Sequence, residues 1–181
     1  MRRIAVTGGI AEGKSTVLSY IADAGVPTVS TDELSREVWK TPEVQSAVAA
    51  SLGVEPPVRR EVALQALAVD SDIRRQINRI THARILDRML RRSEPVVEVP
   101  LLIEACLQPL FDRVWVVTCG PEEQFRRLVE RLGAEESASR LIASQLPSEA
   151  KCAFADRVVR TNLDKRRVHA YVSEAIFLDI G

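Results

Sequence analysis

Gly8-Gly9-Ile10-Ala11-Glu12-Gly13-Lys14-Ser15 fits the phosphate-binding pattern G-x-x-x-x-G-K-[ST] without a gap. A loop of this kind turns backbone N–H groups inward. A helix starting at its end adds partial positive charge, so the pair holds phosphate. Gly8 and Gly13 let the backbone come close to the phosphates with no side chain in the way. Lys14 is placed to reach the terminal phosphates, and Thr16 follows in the first helical turn. The Ser15 hydroxyl suits Mg²⁺, which keeps most of its other ligands as water and phosphate oxygen. The alternative is a glycine turn with a solvated lysine. The strand pattern before the loop and the helix pattern after it weigh against that.

Other residues with chemical potential are more ambiguous. Ser30-Thr31-Asp32-Glu33 follows a second strand pattern and opens a helix. In a parallel sheet, ligands sit beyond the carboxyl ends of the strands. Asp32 could there accept a proton from a hydroxyl attacking a γ-phosphate. Ser30 and Glu33 equally satisfy the S-x-x-E capping box, and an acidic first turn suits the helix dipole. Locally the two readings stand level. Glu104 ends the stretch Glu98-Val99-Pro100-Leu101-Leu102-Ile103-Glu104, facing either a ligand or the surface. His82 lies in a helical pattern near Arg79 and Arg84, where a histidine is more often structural or solvated than catalytic. Arg131 and Arg140 could neutralise transferring phosphates, since guanidinium forks match phosphate oxygens; a solvated helix face is the alternative.

The elements that must position these groups alternate strand and helix, which argues an α/β fold with a parallel sheet. Strands are expected at residues 3–7, within 25–30, at 95–99, at 114–117 and at 157–160, each short and rich in β-branched residues. Helices are expected from Thr16 to Asp23, on the stripe Phe125, Leu128, Val129 and Leu132, and on Val168, Tyr171, Val172, Ala175 and Ile176. Pro121 suits the first turn of its helix. From Glu33 to about Glu94 no strand pattern appears. Helical patterns run through Val44 and Val48, through Ala63, Leu64 and Leu67, and through Ile73, Ile77, Ile80 and Met89. An insertion of this size is large for a bare crossover and suits a substrate-binding lobe, the alternative being an elaborate crossover that binds no ligand. Arg131 to Lys151 is polar and irregular, as expected of a mobile lid.

Composition narrows the class. The 181 residues suggest one domain. Twenty-five basic residues balance 25 acidic ones, which gives no basis for broad capture of nucleic acid or anionic membrane. Cys106, Cys119 and Cys152 are too few and too scattered for a disulfide framework or zinc site, and fit a reducing compartment. No apolar run approaches membrane-spanning length, and the N-terminus enters the glycine loop at once. A cytoplasmic protein is the expectation.

Taken in order, the motifs resemble the dephospho-CoA kinase family, from Ile4 to about Asn162. Thr7-Gly8-Gly9-Ile10 with Gly13-Lys14-Ser15 is similar to its phosphate loop. Asp32 and Arg36 match the second Asp and the Arg of D-x-D-x-x-x-R. Ile80-Thr81-His82 resembles a hydrophobic-x-His element, and Pro100-Leu101-Leu102-Ile103-Glu104 matches P-L-L-x-E. Gln145, Ala155-Asp156 and Asn162 match a later Q…A-D-x-V-x-x-N pattern. The resemblance implies a P-loop kinase of three layers with a five-stranded parallel sheet, a helical acceptor-binding insertion (33–94) and a lid (131–151). It implies transfer from ATP, with Mg²⁺, to the ribose 3′-hydroxyl of dephospho-CoA, the last step of coenzyme A biosynthesis. Asp32 becomes the base. Residues 8–16, Arg131, Arg140 and Asn162 become the donor site. Arg36, His82, Pro100, Leu101 and Glu104 become the acceptor site.

The sequence also departs from the pattern. Ala11-Glu12 stands where Gly-Ser is usual, so Ala11 is expected at negative φ and Glu12 must point outward or weaken binding. Ser30 replaces an Asp, Ala83 a Pro and Leu163 a Gly, and Pro147, Ser148 and Lys151 occupy lid positions where Thr and Arg are common. Two rivals remain: another small-acceptor P-loop kinase, and an ATP-binding module without catalysis.

Overall fold

Five short strands, β1 (Ile4–Thr7), β2 (Thr28–Ser30), β3 (Val96–Glu98), β4 (Arg113–Thr118) and β5 (Arg157–Arg160), form one parallel sheet in the order β2-β3-β1-β4-β5. The structure is a computed structural model that describes the backbone of residues 1–181 and every side chain except those of 64, 67, 68 and 69. The helical stripe expected on Leu64 and Leu67 therefore lies outside the described side chains. Register is set by β1, whose Ile4, Ala5 and Val6 face Val96, Val97 and Glu98 on one side. On the other side Ile4 to Thr7 face Arg113 to Val116. All four β1 residues are 0 % exposed, which is why the strand reads as continuous apolar sequence with no alternation.

The chain divides into two units, 1–29 with 94–181, and 30–93. In the first, α1 (Lys14–Asp23) and α9 (Lys165–Ile180) contribute Val17, Ile21, Val168, Val172, Ala175 and Ile176 to one core with Ile4, Val6, Trp115, Val117 and Val159 of the sheet. Each such fully buried aliphatic contributes ~1.5–3 kcal/mol. Tyr171, expected on the buried stripe of α9, is instead 42 % exposed, and its hydroxyl accepts from Arg157. Arg157 also pairs with Asp179, which accepts from the Trp115 indole N–H at 2.7 Å, so the end of α9 is tied to β4 and β5. Between β4 and β5 run α6 (Pro121–Leu132), α7 (Glu135–Ala143) and α8 (Ser148–Cys152). Pro121 opens α6 and Gly133, at φ 71°, closes it.

The second unit holds α2 (Thr31–Trp39), α3 (Pro42–Leu52), α4 (Arg60–Val69) and α5 (Ser71–Arg91). Its core joins Val38, Val44, Val48, Ala49, Val58, Ala63 and Ile77, with Trp39, Ile73 and Ile80 packed against them. Gln45 stitches the loop before α4 to the end of α2: its amide donates to Trp39 O at 2.7 Å and its carbonyl accepts from Val58 N at 2.7 Å. Glu37 receives Arg88 and Arg92, which fastens α2 to the end of α5.

Candidate active site

The glycine loop leaves β1 and enters α1, which begins at Lys14, two residues earlier than the apolar pattern indicates. Gly13 sits at φ 91° in the left-handed region, and α1 has no side-chain cap. A helix N-terminus of this kind, which no side chain caps, favours an anion. The glycines answer to the protein as well as to a ligand. A Cβ at Gly8 would lie 2.2 Å from Val117 O, and one at Gly13 would lie 3.0 Å from Thr161 Oγ1. The Lys14 ammonium folds back onto Gly8 O at 3.0 Å and Gly9 O at 2.8 Å.

Two expectations about the loop are corrected. Ala11 adopts φ 62°, a left-handed conformation that costs an L-residue ~1–2 kcal/mol, where negative φ was expected. Glu12 does not point outward; it is 1 % exposed beneath the loop. Its carboxylate accepts from Gly9 N at 2.5 Å, from Thr118 Oγ1 at 3.0 Å and from the Ser148 hydroxyl in a short hydrogen bond. A buried carboxylate is tolerable only when donors replace its water, and here three do.

Further side chains brace the loop from outside. Ile10 O accepts from Gln124 Nε2 and Ile10 N donates to Gln145 Oε1, both at 2.9 Å. Thr161 Oγ1 donates to Glu12 O at 2.6 Å, and Arg127 donates to both Thr161 Oγ1 and Thr161 O. Of this set Gln145 stood out in the sequence as a match to the family pattern. Gln124, one turn before Leu128 on the inward face of α6, carried the one usable signal: a polar residue on a buried stripe. Ser148 stood out only as a departure at a lid position, and Thr118, Thr161 and Arg127 gave no signal. Burial pushes the nearby Cys119 thiol up to about 11, which keeps it protonated and inert at neutral pH.

Pro100, Leu101 and Glu104 follow β3 on a turn. Leu101 is 47 % exposed. Glu104 is engaged by the protein: its Oε1 pairs with Lys151 Nζ at 2.8 Å and accepts from Leu146 N at 3.0 Å. Burial works against the Glu104 carboxylate, but bonds from Lys151, its own backbone and Leu146 outweigh it and hold its pKa below the ordinary value. Lys151 is 0 % exposed and also donates to Pro100 O at 3.3 Å, which receives Thr7 Oγ1 as well. Residues 145–151, expected as lid, thus reach down through Gln145, Leu146, Ser148 and Lys151. Arg131 and Arg140 are exposed, Arg140 with a loose 3.6 Å pair to Glu136. Ser15, Thr16 and Asn162 are also exposed.

In the second unit, Ser30 caps α2 by accepting from Asp32 N at 3.2 Å, and Glu33 completes the capping box. The capping is done by Ser30 and Glu33, so the exposed Asp32 carboxylate has no structural bond among the described residues. Arg36 is exposed on α2 and His82 on α5.

A β1-loop-α1 phosphate cradle on a parallel sheet ordered 2-3-1-4-5 defines a P-loop kinase. The structure of TT1252 from Thermus thermophilus superposes with a TM-score of 0.85 at 21 % identity, covering 99 % of this chain and 98 % of that one. That of dephospho-CoA kinase from Campylobacter jejuni gives 0.69 at 18 % identity, covering 99 % and 97 %. In sequence, dephospho-CoA kinase of Shouchella clausii is 33 % identical over 190 residues, 96 % of each chain. The family model described as dephospho-CoA kinase matches residues 2–165, and the chain belongs to that family. It is a kinase of coenzyme A biosynthesis, acting on ATP and dephospho-CoA.

Proposed function

We propose the following division of labour in the transfer of the ATP γ-phosphoryl group to the ribose 3′-hydroxyl of dephospho-CoA. Residues Gly8 to Thr16 cradle the donor phosphates. The observation that carries this is the start of α1: a left-handed Gly13, no side-chain cap, and a lysine at the first helical position. Lys14 exchanges the loop carbonyls for phosphate oxygens and neutralises charge on the group in transfer. Arg131, Arg140 and Asn162 add donor-site contacts from exposed positions. Releasing Arg140 from Glu136 costs little, since an exposed pair is worth ~0–1 kcal/mol. The segment 131–151 serves as lid, with 145–151 as its root.

Asp32 orients the attacking hydroxyl and takes its proton, which its unengaged carboxylate suits. The unit 30–93 binds the acceptor, with Arg36 and His82 as polar contacts, and Pro100, Leu101 and Glu104 contribute from the turn after β3. Magnesium fits the loop. Ser15 offers an exposed hydroxyl, and among the described residues no group of three His, Cys, Asp or Glu side chains is gathered to cage an ion. Such an ion bound through Ser15 would keep water and phosphate oxygens as its other ligands and screen the phosphate charge. We place the reaction in the cytoplasm, supported by three free cysteines; among the described residues no helix is long and apolar enough to cross a membrane.

The test is direct. Purified protein with Mg-ATP is offered dephospho-CoA, shikimate and nucleosides, and products are followed separately. Coenzyme A forms from dephospho-CoA alone. A higher kcat/KM on another acceptor, or ATP binding with no turnover, refutes the reading.

A further inference from the structure

The buried Glu12 carboxylate links two parts of the molecule that the reaction uses separately. One oxygen accepts both Gly9 N, at the start of the phosphate loop, and the hydroxyl of Ser148, the first residue of α8. The other accepts Thr118 Oγ1 at the end of β4, and that hydroxyl oxygen receives Gly120 N at 3.1 Å. Glu12 is 1 % exposed and Ser148 5 %, so water cannot replace either partner. Three residues before Ser148, Gln145 takes the next loop amide, Ile10 N, at 2.9 Å. Three residues after it, Lys151 is fixed to Glu104 and Pro100 O. One face of the strap 145–151 is thereby bonded to the loop at Ile10 and Glu12 and to the turn after β3.

We propose that Glu12 is a positioning residue, whose bond to Ser148 makes the phosphate loop and the strap 145–151 take their working shape together. A carboxylate under a phosphate site repels the ligand by charge, so its retention needs an offsetting task. Here the task is to hold Gly9 N and Ser148 on one oxygen. ATP that orders the loop then orders the strap, and a strap released from the loop weakens ATP binding. Among the described bonds the strap meets the proposed acceptor residues through the turn after β3 and the loop directly, so the larger effect falls on the donor. This inference rests on the reading that the loop binds ATP.

The test is a cycle on Glu12 and Ser148, read as ATP affinity, KM for each substrate, and hydrogen exchange of residues 145–151. Ser148→Ala leaves Glu12 with two donors, so the fold survives. It raises the KM and Kd for ATP about tenfold, the usual worth of one bond to a charged group, with the KM for dephospho-CoA unchanged. In wild type, ATP slows exchange of 145–151; in Ser148→Ala it does not. In a Glu12→Ala background, where Ser148 has no side-chain oxygen of residue 12 to donate to, Ser148→Ala adds less than twofold, whatever Glu12→Ala does by itself. An ATP affinity within twofold of wild type in Ser148→Ala overturns the proposal, as does an equal effect of Ser148→Ala in both backgrounds or ATP protection of 145–151 that survives the substitution. Lys14→Ala run alongside separates the two readings. If it also leaves ATP affinity intact, the loop is not the donor site; if only Ser148→Ala does, the coupling is absent.

Discussion

Removing Glu104 should destabilise the protein far more than removing its partner Lys151. Lys151 is 0 % exposed, and its ammonium has two acceptors, Glu104 Oε1 at 2.8 Å and Pro100 O at 3.3 Å. Glu104→Ala leaves a buried positive charge with one carbonyl. Breaking a buried pair in this way costs ~3–5 kcal/mol. For a chain of this size 1 kcal/mol moves Tm by ~2–4 °C, so the lower bound of that cost gives about 6–12 °C. Lys151→Met is a different perturbation. It leaves the Glu104 carboxylate with Leu146 N–H and with a side chain still 24 % exposed, so water reaches it. A methionine of similar length fills the site, and the expected cost is below ~1.5 kcal/mol. The double variant should regain most of the loss, since no lone charge stays buried. Calorimetric melting of the three variants decides the point, with the KM for dephospho-CoA measured in parallel. Equal Tm losses for the two single variants, or a loss under 2 °C for Glu104→Ala, would refute the argument. A raised KM for dephospho-CoA with unchanged Tm would leave Glu104 its acceptor role and remove the structural one.

Other outcomes follow from the same contacts. Lys14→Ala should lower kcat by about 10²–10³, measured as coenzyme A formed per second, because a preorganised donor to the transferring group is lost. Asp32→Asn should lower kcat by about 10²–10⁴ while ATP affinity holds; unchanged kcat with a slightly lower Tm would leave Asp32 only its dipole role at α2. Ala11→Gly should raise Tm by about 2–4 °C, since relief of left-handed strain exceeds the added freedom of the unfolded chain by ~1 kcal/mol. The Glu104 pKa is lowered in the folded state, so its contribution to stability is full above the unfolded carboxylate range and is lost as pH falls through the lowered value. Acid titration of Tm should therefore fall less steeply for Glu104→Ala than for wild type.

Much of the sheet and the loop was legible because local rules decide them. Ile4–Thr7 is buried on both faces and reads as unbroken apolar sequence, and G-x-x-x-x-G-K-S has one physical use at the end of such a strand. The strand-free stretch after Glu33 similarly announced the four helices of 31–91. What was not legible depends on partners distant in sequence. Glu12 meets Thr118 and Ser148, respectively 106 and 136 residues away, and nothing near Glu12 signals either. Lys151 stood in the sequence only as a residue at a lid position, lysines seldom lie fully buried, and only the fold places Glu104 against it. Tyr171 sits on the right periodicity for burial, yet Arg157 holds its hydroxyl at the surface.

The two odd residues of the phosphate loop have a common explanation. Ala11 stores ~1–2 kcal/mol of backbone strain, and Glu12 puts a negative charge under an anion site. Neither would persist in a loop shaped only by its ligand. This loop is held by the protein at four points: Gly9 N on Glu12, Ile10 N on Gln145, Ile10 O on Gln124, and Glu12 O on Thr161. Each such bond is worth ~0.5–1.5 kcal/mol net, and more where the carboxylate takes part. Together they outweigh the strain at Ala11. They also leave the start of α1 without a side-chain cap. The loop is therefore held close to its working shape before phosphate arrives, and ATP has only to complete the ordering of loop and strap. Donors fixed in advance stabilise transferring charge without reorganising at the moment of reaction, which is how a loop with an unusual sequence can still serve the chemistry of its family.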